Sequence, residues 1–314
     1  MRNTAFFWFS GALIIAMLIA AALVLRPHGT PVPVPQAVSA ALAAQVPTLM
    51  LDAGKRPDYR FERVDLAASV QRGTRRILFF IPGFNTSFVS GAVTAARIGA
   101  VVDPGTLVIY VDWGSQGKAL EYRRDGRSAQ RNAHAFGHAL EYVRATFPHE
   151  EFDIFAHSMG SRVAIRGVAA TFADHKRVRI QHLVLAAPDV QVGDYVATMR
   201  QASTIGRATI YVSRRDKALF LSAVIHFHHR LGQVNVERWN LPRTDIVDVS
   251  AEDHSKDGHG YAIHDQQILS DIYGVVTDAP VPHRKWCKSK AYADVWIYLP
   301  PALAKALLPK LCRS

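Results

Sequence analysis

Short apolar runs of strand length recur through the middle of the chain, and each ends in a polar or glycine-containing turn. A run that is apolar throughout is typical of a parallel strand covered on both faces. The pattern therefore predicts strands in the interior of a sheet. The predicted strands are residues 76–81, 107–111, 152–156, 183–187, 208–213 and 246–249.

Helical patterns alternate with these runs. In residues 128–147, apolar side chains recur at three- and four-residue steps, which predicts an amphipathic helix that stops before Pro148. Further helices are predicted at 88–102, after 160, at 194–202 and at 265–273. Such alternation is typical of an α/β domain with a doubly wound, mostly parallel sheet, predicted over residues 49–278. Residues 59–66 alternate imperfectly and indicate an edge strand.

The chain is organised around one of these strand-to-helix turns, in residues 152–165. An apolar run leads into Ala156-His157-Ser158-Met159-Gly160, and a helical pattern follows. Such a turn lifts the serine hydroxyl out of the edge of the sheet, which is the geometry of a nucleophile elbow. The small residues Ala156 and Gly160 are expected because strand and helix pass close together there.

The first 26 residues form a separate segment. Residues 6–25 carry no charge, and about 20 apolar residues suffice to cross a bilayer. An uncleaved anchor is favoured, and a signal peptide cut near 20–22 is the alternative. Since positive charge precedes the run, both interpretations predict export, to the periplasmic side of the inner membrane in a bacterium. Residues 27–48 hold five prolines and predict a spacer.

Composition and charge narrow the class of protein. The 314 residues are 49% hydrophobic, as expected of a globular core, and the net charge is +11. Residues 280–314 contribute seven basic and one acidic residue, hence +6, to a predicted basic tail at 279–314. No nucleic-acid-binding motif accompanies it. The only cysteines, Cys287 and Cys312, lie there, and both a bridge and two free thiols remain open.

A serine nucleophile needs a base, an acid that orients the base, and backbone donors for the oxyanion. Candidates for all of these follow predicted strands. The loop at Gly83-Phe84 and the N–H of Met159 supply donors, and Asp216 or Asp189 supplies the acid. Asp189 has a helix N-cap as its alternative role. The loop after 249 holds three histidines: His254, His259 and His264.

Five motifs make the chain similar to the α/β-hydrolase superfamily, and within it to an uncharacterised bacterial branch. They are Gly83-Phe84-Asn85-Thr86-Ser87-Phe88, Ala156-His157-Ser158-Met159-Gly160, Ala187-Pro188-Asp189-Val190, Val212-Ser213-Arg214-Arg215-Asp216 and Gly258-His259-Gly260-Tyr261. The resemblance covers about residues 75–275 and implies the α/β-hydrolase fold. It also implies Ser158, Asp216 and His259 as catalytic residues. His254 and His264 are then predicted to be loop residues that face solvent.

The expected function is that of a serine hydrolase. Its substrate would be an ester, thioester or amide of a small or lipid-like acyl group, processed without cofactor or metal. Pro82 and Ala156 depart from the family pattern, and the alternative they favour is a non-catalytic scaffold or acyl-binding module. The spacing of His226, His228 and His229 matches no zinc pattern, so 219–231 is predicted to be a helix beside the pocket.

Overall fold

The computed structural model describes most of the chain after residue 45. The described residues are 46–52, 58–62, 73–102, 104–115, 121–173, 178–233, 241–253, 255, 257–279, 285–292, 295–299 and 301–313. The strands are β1 (Thr48–Asp52), β2 (Asp58–Glu62), β3 (Arg76–Ile81), β4 (Thr106–Asp112), β5 (Glu151–His157), β6 (Ile180–Ala186), β7 (Ile205–Val212), β8 (Thr244–Asp248), β9 (Trp286–Lys288) and β10 (Val295–Tyr298). The helices are α1 (Phe88–Val101), α2 (Tyr122–Thr146), α3 (Gly160–Ala173), α4 (Val192–Gln201), α5 (Lys217–His226), α6 (Tyr261–His264), α7 (Gln266–Val276) and α8 (Pro301–Leu311).

These strands form one sheet in the order β2-β1-β4-β3-β5-β6-β7-β8-β10-β9. Pairing is parallel from β1 through to β10, and antiparallel only at the two ends, where β2 joins β1 and β9 joins β10. The predicted mostly parallel α/β sheet is therefore confirmed. The predicted edge strand is also present, as the shorter β2.

Side chains of the central strands alternate between two apolar layers. In β3, Ile77, Phe79 and Ile81 pack on the face covered by α2, α3 and α4, whereas Leu78 and Phe80 pack on the face of α1 and α7. All five are buried. This double covering explains why the sequence of the strand is continuously apolar. It also leaves the carboxyl edge of the sheet as the place where polar side chains can meet.

The C-terminal segment corrects the predicted domain boundary. β10 lies parallel to β8, and β9 returns antiparallel beside it. Residues 246–249 were expected to be the last strand, and 279–314 a separate tail; both expectations are wrong. The strands β9 and β10 span three and four residues, which is too short for an apolar periodicity to be recognised in the sequence. Cys287 and Cys312 are joined in a disulfide, which ties the end of α8 to β9.

The N-terminal predictions fall outside this description. The anchor or signal segment, 1–26, and nearly all of the spacer, 27–48, precede the first described residue. Only the end of the spacer is seen, and there Thr48 already belongs to β1. Within the described ranges, no helix combines the length and apolar character needed to cross a bilayer.

Candidate active site

Ser158 sits at the turn between β5 and α3 in a strained backbone conformation. Its φ is 50°, in the left-handed region that non-glycine residues adopt uncommonly. A Cβ on Gly160 would lie 2.4 Å from the carbonyl oxygen of Pro82, so only glycine fits where α3 passes the end of β3. The predicted strand, tight turn and helix are present, and the close approach explains the small residue at 160.

Three side chains from the ends of three strands meet at this turn. The Oγ of Ser158, after β5, lies 2.8 Å from Nε2 of His259. Nδ1 of His259, after β8, lies 2.9 Å from Oδ2 of Asp216, after β7. With its hydrogen on Nδ1, the imidazole donates to the carboxylate and accepts from the hydroxyl. The three side chains thus form a continuous Ser-His-Asp relay.

Asp216 is fixed by two separate contacts. Its second oxygen, Oδ1, accepts the backbone N–H of Leu219 at 2.8 Å, so the same carboxylate caps the N-terminus of α5. The side chain is 2% exposed, whereas that of His259 is 13% exposed. Asp216 is therefore buried and held in one orientation by the fold, whereas His259 keeps some exposure to solvent.

Tyr261 anchors the loop that carries His259. Its hydroxyl donates to the carbonyl oxygen of Tyr211 in β7 at 2.8 Å, and it accepts the N–H of Ala187 after β6 at 3.0 Å. Because Tyr261 follows His259 by two residues, this buried hydroxyl fixes the imidazole relative to two strands of the sheet. The Gly-His-x-Tyr motif thus has a mechanical basis in the contacts of its tyrosine.

The electrostatics of the two adjacent histidines differ. Burial opposes protonation of His259, but the charge and hydrogen bond of Asp216 outweigh it and hold its pKa above the ordinary value. Burial lowers the pKa of His157 to about 3, and nearby His259 adds to that effect. Neutral His157 places Nε2 at 3.1 Å from the backbone oxygen of His259. It supports the base without competing for its proton.

The predicted oxyanion donors lie beside the serine. A Cβ on Gly83 would be 3.0 Å from Cβ of Ser158, so the backbone of the loop after β3 runs directly past the hydroxyl. The loop is held in place because Nε1 of Trp113 donates to the carbonyl oxygen of Pro82 at 2.8 Å. Among the described residues, no acceptor is paired with the N–H of Phe84 or of Met159. Both donors are therefore available to a developing oxyanion.

Asp189, the other candidate for the acid, does not contact a histidine. Its Oδ2 accepts from Nη2 of Arg162 at 2.7 Å and from the hydroxyl of Tyr122 at 2.9 Å, and its Oδ1 accepts from Oγ of Ser222 at 2.6 Å. The alternative expectation that it caps a helix is also wrong, because Gln191 occupies the N-cap position of α4. Asp189 instead neutralises a buried arginine.

The other histidines considered from the sequence do not join the relay where the structure describes them. His264 ends α6 and is exposed, as expected, and His254 lies outside the described residues. The predicted helix over 219–231 is confirmed only as far as His226, where α5 ends; Phe227 is left-handed, with a φ of 56°, and residues 227–231 are not helical. Within the described chain, no three His, Cys, Asp or Glu side chains group as metal ligands would.

A family model described as "Alpha/beta hydrolase of unknown function (DUF900)" matches residues 61–270, more than half of the chain. The chain belongs to this family. The match runs from the end of β2 into the first part of α7 and hence includes every residue of the Ser-His-Asp relay in this DUF900 protein. No curated protein is significantly similar to it in sequence.

Solved structures of α/β-hydrolase type resemble this DUF900 chain at low identity. A lidless α/β serine hydrolase from Xanthomonas campestris is 18% identical, with 66% of this chain and 81% of that one covered and a TM-score of 0.40. A thioesterase of the prodiginine pathway of Streptomyces coelicolor is 14% identical, with 65% and 85% covered and a TM-score of 0.40. A fungal esterase from Rhizomucor miehei is 12% identical, with 85% of this chain and 97% of that one covered and a TM-score of 0.45. Nothing about the reaction follows from likenesses at this level.

A pocket of about 430 Å³ lined by residues of α2, α3 and the segment after α5 is not predicted by the sequence of this DUF900 protein. We call it the basic pocket, because five arginines line it. They are Arg123, Arg127, Arg162, Arg166 and Arg230. One signal was available in the sequence: Arg162, four residues after Ser158 in the helix that follows the turn. In the structure Tyr122 and Arg123, in the first turn of α2, also line the pocket.

Proposed function

We propose that this protein is a serine hydrolase that cleaves an ester, thioester or amide through an acyl-enzyme intermediate. The observation that carries the proposal is the unbroken relay from Ser158 through His259 to Asp216, with contacts of 2.8 and 2.9 Å. The strained φ of 50° at Ser158 supports it, because such strain persists where a function requires the conformation.

The chemistry follows from the geometry. Oγ of Ser158 attacks the carbonyl carbon while its proton passes to Nε2 of His259, and the oxyanion is held by the N–H groups of Phe84 and Met159. Met159 immediately precedes α3, so the positive end of the helix dipole favours the negative charge. The intermediate collapses when His259 protonates the leaving group. Water then repeats the cycle and frees the acid.

Labelling by a fluorophosphonate probe tests this function, because the probe forms a covalent bond only with an activated serine. We expect labelling of the wild type and none of Ser158→Ala. Ser161→Ala is the matched control, since Ser161 is also buried, lies three residues away and has no hydrogen-bond partner for its hydroxyl among the described residues. Undiminished labelling of Ser158→Ala would refute the assignment.

The alternative is a non-catalytic scaffold or acyl-binding module. The two departures that motivate it leave the relay intact: Pro82 contributes only its carbonyl oxygen, and Ala156 is buried within β5. A folded wild type that is inert both to the probe and to a panel of chromogenic esters would favour this alternative.

We also propose that the body acts outside the cytoplasm, tethered by residues 1–26, on a small or lipid-like acyl substrate. The charge-free run at 6–25 supports this location. The disulfide between Cys287 and Cys312 is in keeping with it, because disulfides persist in oxidising compartments. Protease added to spheroplasts should digest the body, and protection until the membrane is lysed would contradict the proposal.

A further inference from the structure

The basic pocket carries more positive charge than its surroundings balance. Arg123 and Arg127 come from α2, Arg162 and Arg166 from α3, and Arg230 from the segment after α5. Against these five guanidinium groups stand Asp194, 3.1 Å from Arg166, and Asp189, which contacts Arg162 and Arg230. Five minus two leaves +3 among these described residues.

Asp189 is shared between two arginines. Nη2 of Arg162 lies 2.7 Å from its Oδ2, and Nε of Arg230 lies 3.2 Å from its Oδ1. The two oxygens also accept from Tyr122 and Ser222. A single carboxylate with four neighbours neutralises one guanidinium and leaves the second charge uncompensated.

Arg230 is the unusual member of the set. It is only 5% exposed, yet its Nε and Nη2 make no hydrogen bond with any described residue. A guanidinium does not give up its proton, so the charge persists inside the protein. Its ion-pair partner Asp189 is shared with Arg162, so the buried guanidinium keeps donors without acceptors, which is strongly unfavourable unless a further partner arrives. Since Arg230 lines the basic pocket, a ligand bound there can provide that partner.

The mouth of the pocket has the same character. Arg123 and Arg127 are exposed, lie one turn apart on α2, and form no ion pair with any described residue. Guanidinium groups that converge from different elements suit a ligand with several oxygens. A phosphate group offers three or four around one atom, whereas a carboxylate offers two in one plane.

We propose that the basic pocket binds a phosphate group, with Arg230 at its base and Arg123 and Arg127 at its mouth. Arg162 lies in the first turn of α3, four residues after Ser158, and its partner Asp189 donates its backbone N–H to the carbonyl oxygen of Ser158 at 3.1 Å. The pocket is thus linked to the serine turn through Arg162 and Asp189. Resting on the proposed function, the inference identifies a phosphate-bearing ester as substrate, with free phosphate as the other source of the same chemistry.

Calorimetric titration with inorganic phosphate at constant ionic strength tests the site without turnover, in the Ser158→Ala protein. We expect saturable binding that weakens about tenfold or more in Arg230→Gln and in Arg123→Gln/Arg127→Gln. The second variant changes only exposed side chains, so it remains informative if Arg230→Gln does not fold. Arg124→Gln/Arg131→Gln is the control, since it removes the same charge from exposed positions of α2 that do not line the pocket. No saturable binding, or equal weakening in the control, would overturn the proposal.

Two matched esters identify the source of the phosphate. We expect kcat/KM for 1-butyrylglycerol 3-phosphate to exceed that for 1-butyrylglycerol about tenfold or more, and this preference to disappear in Arg123→Gln/Arg127→Gln but not in the control. Phosphate binding with a kcat/KM ratio near one would assign the site to free phosphate. Phosphate binding by a protein that is inert to both esters and to the fluorophosphonate probe would support the site and count against the hydrolase. Ester hydrolysis by a protein that does not bind phosphate would support the hydrolase and refute the phosphate site.

Discussion

Asp189 and Asp216 occupy similar places in this molecule and have different partners. Each follows a strand after the elbow, β6 or β7. Both are buried, with 3% of Asp189 and 9% of Asp216 exposed when backbone and side chain are taken together. Asp216 faces one histidine that contacts the serine. Asp189 faces two arginines and two hydroxyls. A buried carboxylate at the edge of a sheet therefore takes its role from the side chains that the fold brings to it, and not from its position along the chain.

The largest expected effect is that of Asp216→Asn on turnover. An amide in place of the carboxylate favours the wrong imidazole tautomer, and we expect kcat to fall about 10⁴-fold. Folding should survive, because the amide oxygen can still cap α5 at Leu219. Steady-state kinetics of the ester that the wild type hydrolyses best is the measurement. Asp189→Asn is the comparison, and an equal loss there would remove the distinction between the two acids.

The order reverses for stability. Asp189→Asn leaves Arg162 and Arg230 without a compensating charge, which we expect to cost about 3 kcal/mol of unfolding free energy. Asp216→Asn should cost less, since its partner His259 can remain neutral. Urea unfolding of the two variants measures the difference. In a double-mutant cycle, Arg230→Met should recover part of the loss caused by Asp189→Asn. A fully additive result would show that the pair is not coupled.

The pKa of His259 distinguishes the two acids, because their negative charges raise it to different degrees. Its pKa is raised, so the neutral base exists above that pKa, and activity is lost as the pH falls through it. Removal of the charge in Asp216→Asn should lower the pKa of His259. Asp189→Asn should lower it less, since Asp189 raises it more weakly than Asp216 does. NMR titration of the imidazole measures both, and equal shifts would contradict the assignment.

The smallest effect is expected at Tyr261. Tyr261→Phe removes the hydroxyl that joins the His259 loop to two strands, and we expect a loss of about 1 kcal/mol and a several-fold lower kcat. Tyr298→Phe is the matched control, because its buried hydroxyl has no hydrogen-bond partner among the described residues. Calorimetric unfolding and kinetics are the measurements. An unchanged kcat in Tyr261→Phe would show that the loop is held by its other contacts.

Much of the fold could be read from the sequence, because strands such as β3 and β5 are covered on both faces and hence apolar throughout. The short strands β1, β9 and β10 could not, since their pairing depends on distant partners and not on local pattern. The helix α2 begins at Tyr122, before the predicted start at residue 128, for a related reason. Its first turns face the basic pocket and solvent, so they lack apolar spacing.

The candidate site divides in the same way. Motif order along the chain was enough to predict that Ser158, an acid and a histidine would be brought together, because the carboxyl ends of parallel strands share one edge. The choices of Asp216 over Asp189 and of His259 over its neighbours relied on the resemblance. The meeting of Arg162 with Arg230, 68 positions apart in the sequence, is a tertiary event without a local signal.

The pairing of β10 with β8 has a practical consequence for expression of the protein. A chain shortened at residue 279, a natural cut if the last residues were a tail, would lose β9, β10 and α8 together. The hydrogen-bonding edge of β8 would then be open, and unprotected edges of this kind recruit strands from other molecules. Insolubility of such a chain would report a lost strand partner and not a lost membrane contact. Affinity tags therefore belong after the last residue, and shortened chains should keep β9, β10 and α8.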